Sequence, residues 1–177
     1  PDRAARAARP PAYGARATVQ RDNVYWFGSR GLLFTSPWVL TPRTRRQTAV
    51  LLLSASGRPL ELSVGGRVLR HEAVAIAPLT PRGLRAIDVG LISVNVQPHH
   101  PCFGALCRMM DEPTTPLPRE AFARFDAELR RAYEGRLGHA EAERLFEGLV
   151  ETMVAWLPGP EQSDPRADRL HALLREN

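Results

Sequence analysis

Residues 48–66 read TAVLLLSASGRPLELSVGG and contain two different strand patterns separated by a turn. Thr48 to Ser54 is a compact apolar run, which is typical of a strand buried on both faces. After the break at Gly57-Arg58-Pro59, residues 60–64 alternate between apolar and polar side chains, the pattern of a half-buried strand. Gly65 and Gly66 both tolerate a positive φ and predict a tight hairpin. The stretch therefore predicts β-structure built from adjacent strands.

Short strands with turn signals continue on both sides of this stretch. Upstream, Val24 to Phe27 and Leu32 to Thr35 are aromatic and β-branched segments with a Gly-containing turn between them. Downstream lie the β-branched residues Val68, Val74 and Ile76. A proline-rich turn at Pro78 to Gly83 and a long last strand from Ile87 to Val96 follow them. Strands at this spacing predict a β-sandwich or a β-barrel.

Past residue 100 the apolar residues recur with the period of an amphipathic helix. The first stripe comprises Phe122, Phe125, Leu129, Ala132 and Tyr133, and the second comprises Ala142, Leu145, Phe146, Leu149, Val150, Met153, Trp156 and Leu157. Gly135 and Gly138 separate them, which predicts an antiparallel helical hairpin within residues 99–157. Two interpretations of the stripes remain open: they are core, or part of the second stripe is a dimer seam. The candidate seam residues are Leu145, Leu149, Met153 and Trp156.

The two ends of the chain differ from its middle in composition. Residues 1–18 consist largely of Ala, Arg and Pro, which cannot bury enough apolar surface to offset ordering, so they predict a flexible arm. Residues 158–163 form a polar linker. Asp164-Pro165 then combines an N-cap with a proline in the first helical turn. We expect residues 164–177 to begin the first helix of a further domain.

Composition and charge exclude several classes of protein. The chain has 177 residues, of which 44% are hydrophobic, and no apolar run approaches the roughly 20 residues of a membrane span. Two cysteines exclude a disulfide scaffold and make the cytoplasm the simplest location. All 24 basic residues are arginine, and residues 1–30 carry +4 of the net charge of +5. The remainder is near neutral, so we do not expect it to bind DNA by itself.

Several segments resemble AraC-type bacterial transcription regulators. In that family a D-P-R-[IVA]-x-R helix opens the C-terminal double helix-turn-helix, and Asp164-Pro165-Arg166-Ala167-Asp168-Arg169 is similar to it. Other segments are similar to the family's cupin-like effector domain, namely Leu51-Leu52-Leu53, Gly57, Leu60-x-Leu62, Gly66, Ala73 to Pro78, and Val94-x-Val96-x-Pro98.

The resemblance implies an α+β fold, in which a cupin-like, jelly-roll-like β-barrel over residues 19–98 precedes the helical hairpin. It also implies a small-molecule effector bound in the barrel, a homodimer, and DNA binding through a C-terminal domain that lies beyond Asn177. No enzymatic activity, cofactor or membrane partner is expected.

The sequence departs from the metal-binding cupin pattern. Where such cupins have P-H-x-H, this chain has Pro42-Arg43-Thr44-Arg45, and the later histidine position falls at Arg82 or Gly83. Arginine does not shed its proton to ligate a metal. One hypothesis is that Arg43, Arg45 and Arg82 converge on an anionic effector through bidentate bonds. The alternative is that they are solvated at the barrel rim.

Other residues allow two interpretations. Trp26, Phe34 and Trp38 either line an apolar cavity or belong to the core or to the packing of the barrel on the helices. Zinc motifs usually have two C-x2–4-C pairs, whereas His99-His100-Pro101-Cys102 with Cys107 contains one pair with a gap of four residues, and adjacent histidines rarely ligate one ion. We expect Cys102, Phe103, Leu106 and Cys107 to form the apolar face of a strand-to-helix crossover. Two other functions remain open, a stand-alone metal-free cupin-like enzyme and an oligomerisation scaffold without a ligand.

Overall fold

The computed structural model describes residues 23–87 and 89–158, in which nine strands precede the first helix and a tenth strand follows it. Its strands are β1 (Val24–Phe27), β2 (Gly31–Ser36), β3 (Val39–Thr44), β4 (Ala49–Ser54), β5 (Leu60–Val64), β6 (Arg67–His71), β7 (Ala73–Ile76), β8 (Arg82–Ala86), β9 (Leu91–Val96) and β10 (Thr114–Pro116). Its helices are α1 (Phe103–Met109), a 3-10 helix (Arg119–Phe125), α2 (Asp126–Tyr133) and α3 (His139–Trp156).

The strands form two antiparallel sheets. The larger has the order β1-β2-β9-β4-β7-β10, and the smaller has the order β3-β8-β5-β6. Together with the helices they make an α+β fold, as the sequence predicts. The strand pairings among the described residues divide into two sheets, and the single closed barrel stays a prediction.

Two apolar cores lie on opposite faces of the larger sheet. The inter-sheet core contains Val50 and Leu52 of β4 together with Leu60 and Leu62 of β5. The helix-side core contains Leu51 and Leu53 of β4 together with buried side chains of the helices, including Leu106, Phe122, Leu129 and Leu149. Because successive side chains of a strand point to opposite faces, β4 is buried along its whole length. This confirms the prediction made from its continuous apolar run.

The predicted hairpin at Gly65-Gly66 is also observed. Val64 pairs with Arg67, and the two glycines between them have φ values of 56° and 79°. Positive φ at both central residues is the requirement of a two-residue turn whose twist matches that of the flanking strands.

The structure corrects the last predicted strand and adds three strands. Residues 87–96 do not form one strand: β9 begins at Leu91, after Gly90, whose φ is 71°. The added strands are β3, β8 and β10. β3 and β10 contain Pro42 and Pro116, and β8 directly follows Pro81. Proline removes a backbone donor and masks the strand pattern, which is why sequence patterning did not find them.

The helical half follows the predicted period, with different boundaries. The first predicted helix consists of the 3-10 helix followed by α2. The predicted break lies between α2 and α3, where Gly135 has a φ of 69°.

No helix in the described part of the chain is both long and apolar enough to cross a membrane. The predicted arm (1–18), nearly all of the predicted linker (158–163) and the predicted terminal helix (164–177) lie outside the described residues.

Candidate functional site

A cleft of about 640 Å³ lies where the ends of both sheets meet. The smaller sheet contributes β3, the β5–β6 turn and the start of β8, while the larger sheet contributes the segments after β7 and before β10. Its lining residues are Pro42, Arg43, Ser63, Val64, Gly65, Gly66, Pro78, Leu79, Thr80, Pro81, Arg82, Gly83 and Pro113. This volume is within the range of small-molecule sites in proteins.

A β-bulge positions one wall of the cleft. Thr41 pairs with Leu84 and Thr44 pairs with Arg82, so Pro42 and Arg43 of β3 both lie opposite Gly83 of β8. A Cβ atom at Gly83 would lie 2.8 Å from the carbonyl oxygen of Pro42, so glycine permits the close approach. Bulges re-aim side chains, and this one places Arg43 at the cleft.

The loop between β7 and β8 forms the opposite wall in a constrained conformation. Leu79 has a φ of 61°, which is costly for a residue with a Cβ atom. Its N–H donates to the carbonyl oxygen of Arg46 at 2.6 Å, and its carbonyl oxygen accepts from Nε of Arg45 at 3.1 Å. The N–H of Ala77 donates to the carbonyl oxygen of Pro113 at 3.1 Å. Such constrained backbone concentrates at ligand sites.

Arg82 is the buried cation of the cleft. It is 5% exposed, and its Nη1 lies 3.5 Å from the carbonyl oxygen of Thr80. Burial and, to a smaller extent, the nearby positive charge of Arg46 lower the pKa of Arg82 to about 10. The side chain is still protonated at neutral pH. Among the described residues, no carboxylate forms an ion pair with it.

The structure brings some of the predicted ligand residues together and separates others. Arg43 and Arg82 both line the cleft, and Arg45 holds the loop that forms its wall. The three predicted aromatic residues lie elsewhere in the fold.

Phe34 packs against the inter-sheet core. Trp26 packs on the helix side of the larger sheet, where Nε1 lies 3.4 Å from the carbonyl oxygen of Leu137. Trp38 is 61% exposed. None of the three is among the residues that line the cleft, so the structure does not place them in one cavity with the arginines.

Three of the four candidate dimer residues are part of the chain's own core. Leu145, Leu149 and Met153 are buried against the larger sheet and the other helices. They therefore have no free surface for a partner, which corrects the proposed seam at these positions and favours the core interpretation of the stripe. Trp156 is 54% exposed. Dimerisation itself stays a prediction.

Sequence reasoning missed a polar group next to the cleft. Asn95 is 2% exposed, its Nδ2 donates to Oγ of Ser93 at 3.0 Å, and its Oδ1 accepts from Nη1 of Arg46 at 3.4 Å. The available signal was the occurrence of Ser93 and Asn95 in the otherwise apolar strand LISVNV. Polar residues at alternate positions of a buried strand face the same side, here away from the helix-side core that contains Val94.

The histidine and cysteine group has a structural role. His100 is buried, its Nδ1 accepts from the backbone N–H of Cys102 at 3.0 Å, and its Nε2 lies 3.1 Å from Oε2 of Glu147. Both ring nitrogens are therefore engaged within the fold. Leu106 is buried as predicted, whereas Cys107 is exposed and does not belong to the apolar face of α1. The described residues contain no group of three or more His, Cys, Asp or Glu that could hold a metal ion.

Comparisons with known proteins give distant likenesses. No protein-family model matches the chain, and no curated protein matches its sequence. A solved cupin domain from Bordetella pertussis Tohama I is similar with a TM-score of 0.34 and 10% identity, over 43% of this chain and 90% of that one. The solved AraC-like transcriptional activator CuxR is similar with a TM-score of 0.49 and 15% identity. That match covers 84% of this chain, which spans 62% of the length of CuxR.

Proposed function

We propose that this chain is the small-molecule-sensing region of an AraC-type transcription regulator. The sequence resemblance suggests the family, and the fold has the antiparallel sheets and following helices that the resemblance implies. The observation that carries the proposal is the cleft, which contains a buried arginine without a carboxylate partner among the described residues. A buried and unpaired charge costs free energy in the absence of a ligand, which is typical of a binding site.

The larger sheet provides a route from the cleft to the helices. The residues Pro78 and Pro113, which line the cleft, flank β7 and β10 of this sheet. On the opposite face of the same sheet, α3 packs on β2 and β9. An effector that binds one arrangement of the cleft better than another would shift the population of that arrangement. In this proposal, the shift changes how the helices are presented to a partner.

The complete regulator would use this region as a homodimer and bind DNA through a further domain. Dimeric regulators place two DNA-reading domains on paired half-sites, so a small change in their relative positions alters affinity. The region itself would recognise the effector, and its cationic cleft is too small for a duplex.

The test is ligand binding to the cleft, measured as thermal stabilisation by a panel of small organic acids, aromatic compounds and sugars. A ligand at about 100 times its Kd stabilises a protein by about 2.7 kcal/mol, which is readily measured. Ser63→Trp should block the cleft, because Ser63 lines it and is exposed. Val68→Trp is the matched control, since Val68 is exposed on the neighbouring strand and does not line the cleft.

We expect at least one compound to stabilise the wild type and Val68→Trp, with little effect on Ser63→Trp. Hydrogen exchange should then slow both in residues 77–83 and in α3. A panel in which no compound distinguishes Ser63→Trp from Val68→Trp would contradict ligand binding at the cleft. Protection confined to the cleft would contradict the sensing role.

A further inference from the structure

The walls of the cleft combine rigid apolar surface with the polar side chains of Arg43, Ser63, Thr80 and Arg82. Four prolines line it, namely Pro42, Pro78, Pro81 and Pro113. Proline has a fixed φ and no N–H, so these residues present firm apolar surface that cannot donate a hydrogen bond to a ligand. Hydroxyl groups of a ligand that face the proline rings would lose hydrogen bonds to water without replacing them. The walls therefore favour a ligand with an apolar body.

The charged side chains that line the cleft are positive. Arg82 is buried at its inner side, and Arg43 is exposed at its mouth. Some arginines elsewhere in the described residues pair with acids: Arg70 and Arg85 contact Glu61, and Arg131 contacts Glu141. Neither Arg43 nor Arg82 has such an ion pair within the described ranges. The cleft thus offers two positive charges, one of them buried, without an acidic partner among the described residues.

We propose that the cleft binds a small monocarboxylic acid with an apolar body, its carboxylate against Arg82 and its body among the four prolines. A carboxylate matches the planar fork of a guanidinium and would supply the missing counter-charge. Inorganic phosphate fits less well, because it has no apolar part to place on the proline walls. The inference deepens the proposed function by naming the ligand class, and it rests on that function for the regulatory role of binding.

Benzoate is the probe for this inference, and benzamide is its neutral counterpart of nearly the same shape. Isothermal titration calorimetry of the full chain should show benzoate binding at least about tenfold more tightly than benzamide. A hydrogen bond to a charged group contributes about 1.5–3 kcal/mol, which corresponds to roughly tenfold or more in Kd. Inorganic phosphate should bind more weakly than benzoate, because binding requires the apolar ring.

Arg82→Gln should weaken benzoate binding at least about tenfold and leave benzamide binding nearly unchanged. Arg85→Gln is the matched control, because Arg85 lies on the same strand, is exposed and does not line the cleft. Arg43→Gln gives a second test at the exposed mouth, where the fold does not depend on the side chain, and should weaken benzoate binding by a smaller factor. Melting curves establish that each variant is folded.

The outcomes separate this inference from the proposed function. Preference for benzoate over benzamide and phosphate, with dependence on Arg82, supports it. Equal binding of benzoate and benzamide, tighter binding of phosphate, or no benzoate binding overturns the ligand class. If a neutral compound from the panel still binds wild type and not Ser63→Trp, the sensing proposal stands without the acid. If no compound binds the cleft, both proposals fail.

Discussion

Thr48 has a buried hydroxyl group that is energetically unfavourable in this fold. The residue is 8% exposed, and its Oγ1 makes no hydrogen bond with any described residue. Leaving a buried polar group unpaired costs about 1–3 kcal/mol. Valine has nearly the same shape without the hydroxyl, so Thr48→Val should raise the free energy of unfolding by about 1 kcal/mol. Urea denaturation measures the change.

Thr152 is the matched control for this prediction. It is 5% exposed, and its Oγ1 donates to the carbonyl oxygen of Gly148 at 2.8 Å and accepts from Nη2 of Arg124 at 2.8 Å. Thr152→Val should therefore lower the free energy of unfolding by about 1 kcal/mol. Destabilisation of both variants to the same extent would show that Thr48 is hydrogen-bonded after all.

At the scale of elements, the contact between β2 and α3 depends on the absence of a side chain at Gly31. A Cβ atom there would lie 2.5 Å from the carbonyl oxygen of Asn95 and would overlap the ring of Phe146. Since backbone cannot move aside cheaply, we expect Gly31→Ala to lower the free energy of unfolding by about 2 kcal/mol or more. Urea denaturation gives the free energy, and faster hydrogen exchange in α3 would show that the helix has loosened.

Gly28→Ala is the control in the same hairpin, because a Cβ atom at Gly28 would meet its nearest neighbour, the carbonyl oxygen of Gly31, at 3.7 Å. That substitution should change stability by less than about 1 kcal/mol. Equal losses in the two variants would mean that the hairpin is sensitive to alanine for a reason other than contact with Phe146.

The elements found from sequence are those whose local pattern agrees with their final environment. β4 is uniformly apolar and buried on both faces, and the β5–β6 hairpin carries its turn signal within two residues. β3 has no such agreement, since its proline and arginine lie in a bulge that exists only because β8 approaches Pro42 through Gly83. Because the sequence did not reveal β3, it could not indicate which face of the sheet Trp38 occupies. Alternation indicates a face only when the strand is known.

Charged residues of the candidate site could be named from the sequence, but most of the residues that form its walls could not. Arg43 and Arg82 were identified because they occupy positions where metal-binding cupins have histidines, and both line the cleft. Pro78 and Pro81 gave only a turn signal, and Pro113 was not singled out, because the approach of the 113 region to the β7–β8 loop is a tertiary contact. Arg46 was likewise missed, since its interaction with Asn95 joins residues 49 positions apart.

The larger sheet divides the protein into a side that contains the cleft and a side that contains the helices. The inter-sheet core and the cleft lie on one side, and α3 lies on the other. Most of the apolar stripe of α3 is used within the chain to cover the sheet. A dimer, if it forms through α3, must therefore use surface that the sheet does not cover, and Trp156 is the exposed member of the four candidate residues.

We expect the wild-type chain to be a dimer at micromolar concentration and Trp156→Glu to weaken association at least about tenfold, because buried tryptophans are frequent hot spots of interfaces. Sedimentation equilibrium measures the association, and the melting temperature at low concentration should change little since Trp156 is outside the core.

Trp38→Glu is the matched control, as Trp38 is equally exposed on the smaller sheet's side of the fold. Leu149→Glu should instead abolish folding, because it places a charge in the helix-side core. A monomeric wild type, or weaker association in Trp38→Glu than in Trp156→Glu, would exclude the exposed end of α3 as the dimer contact.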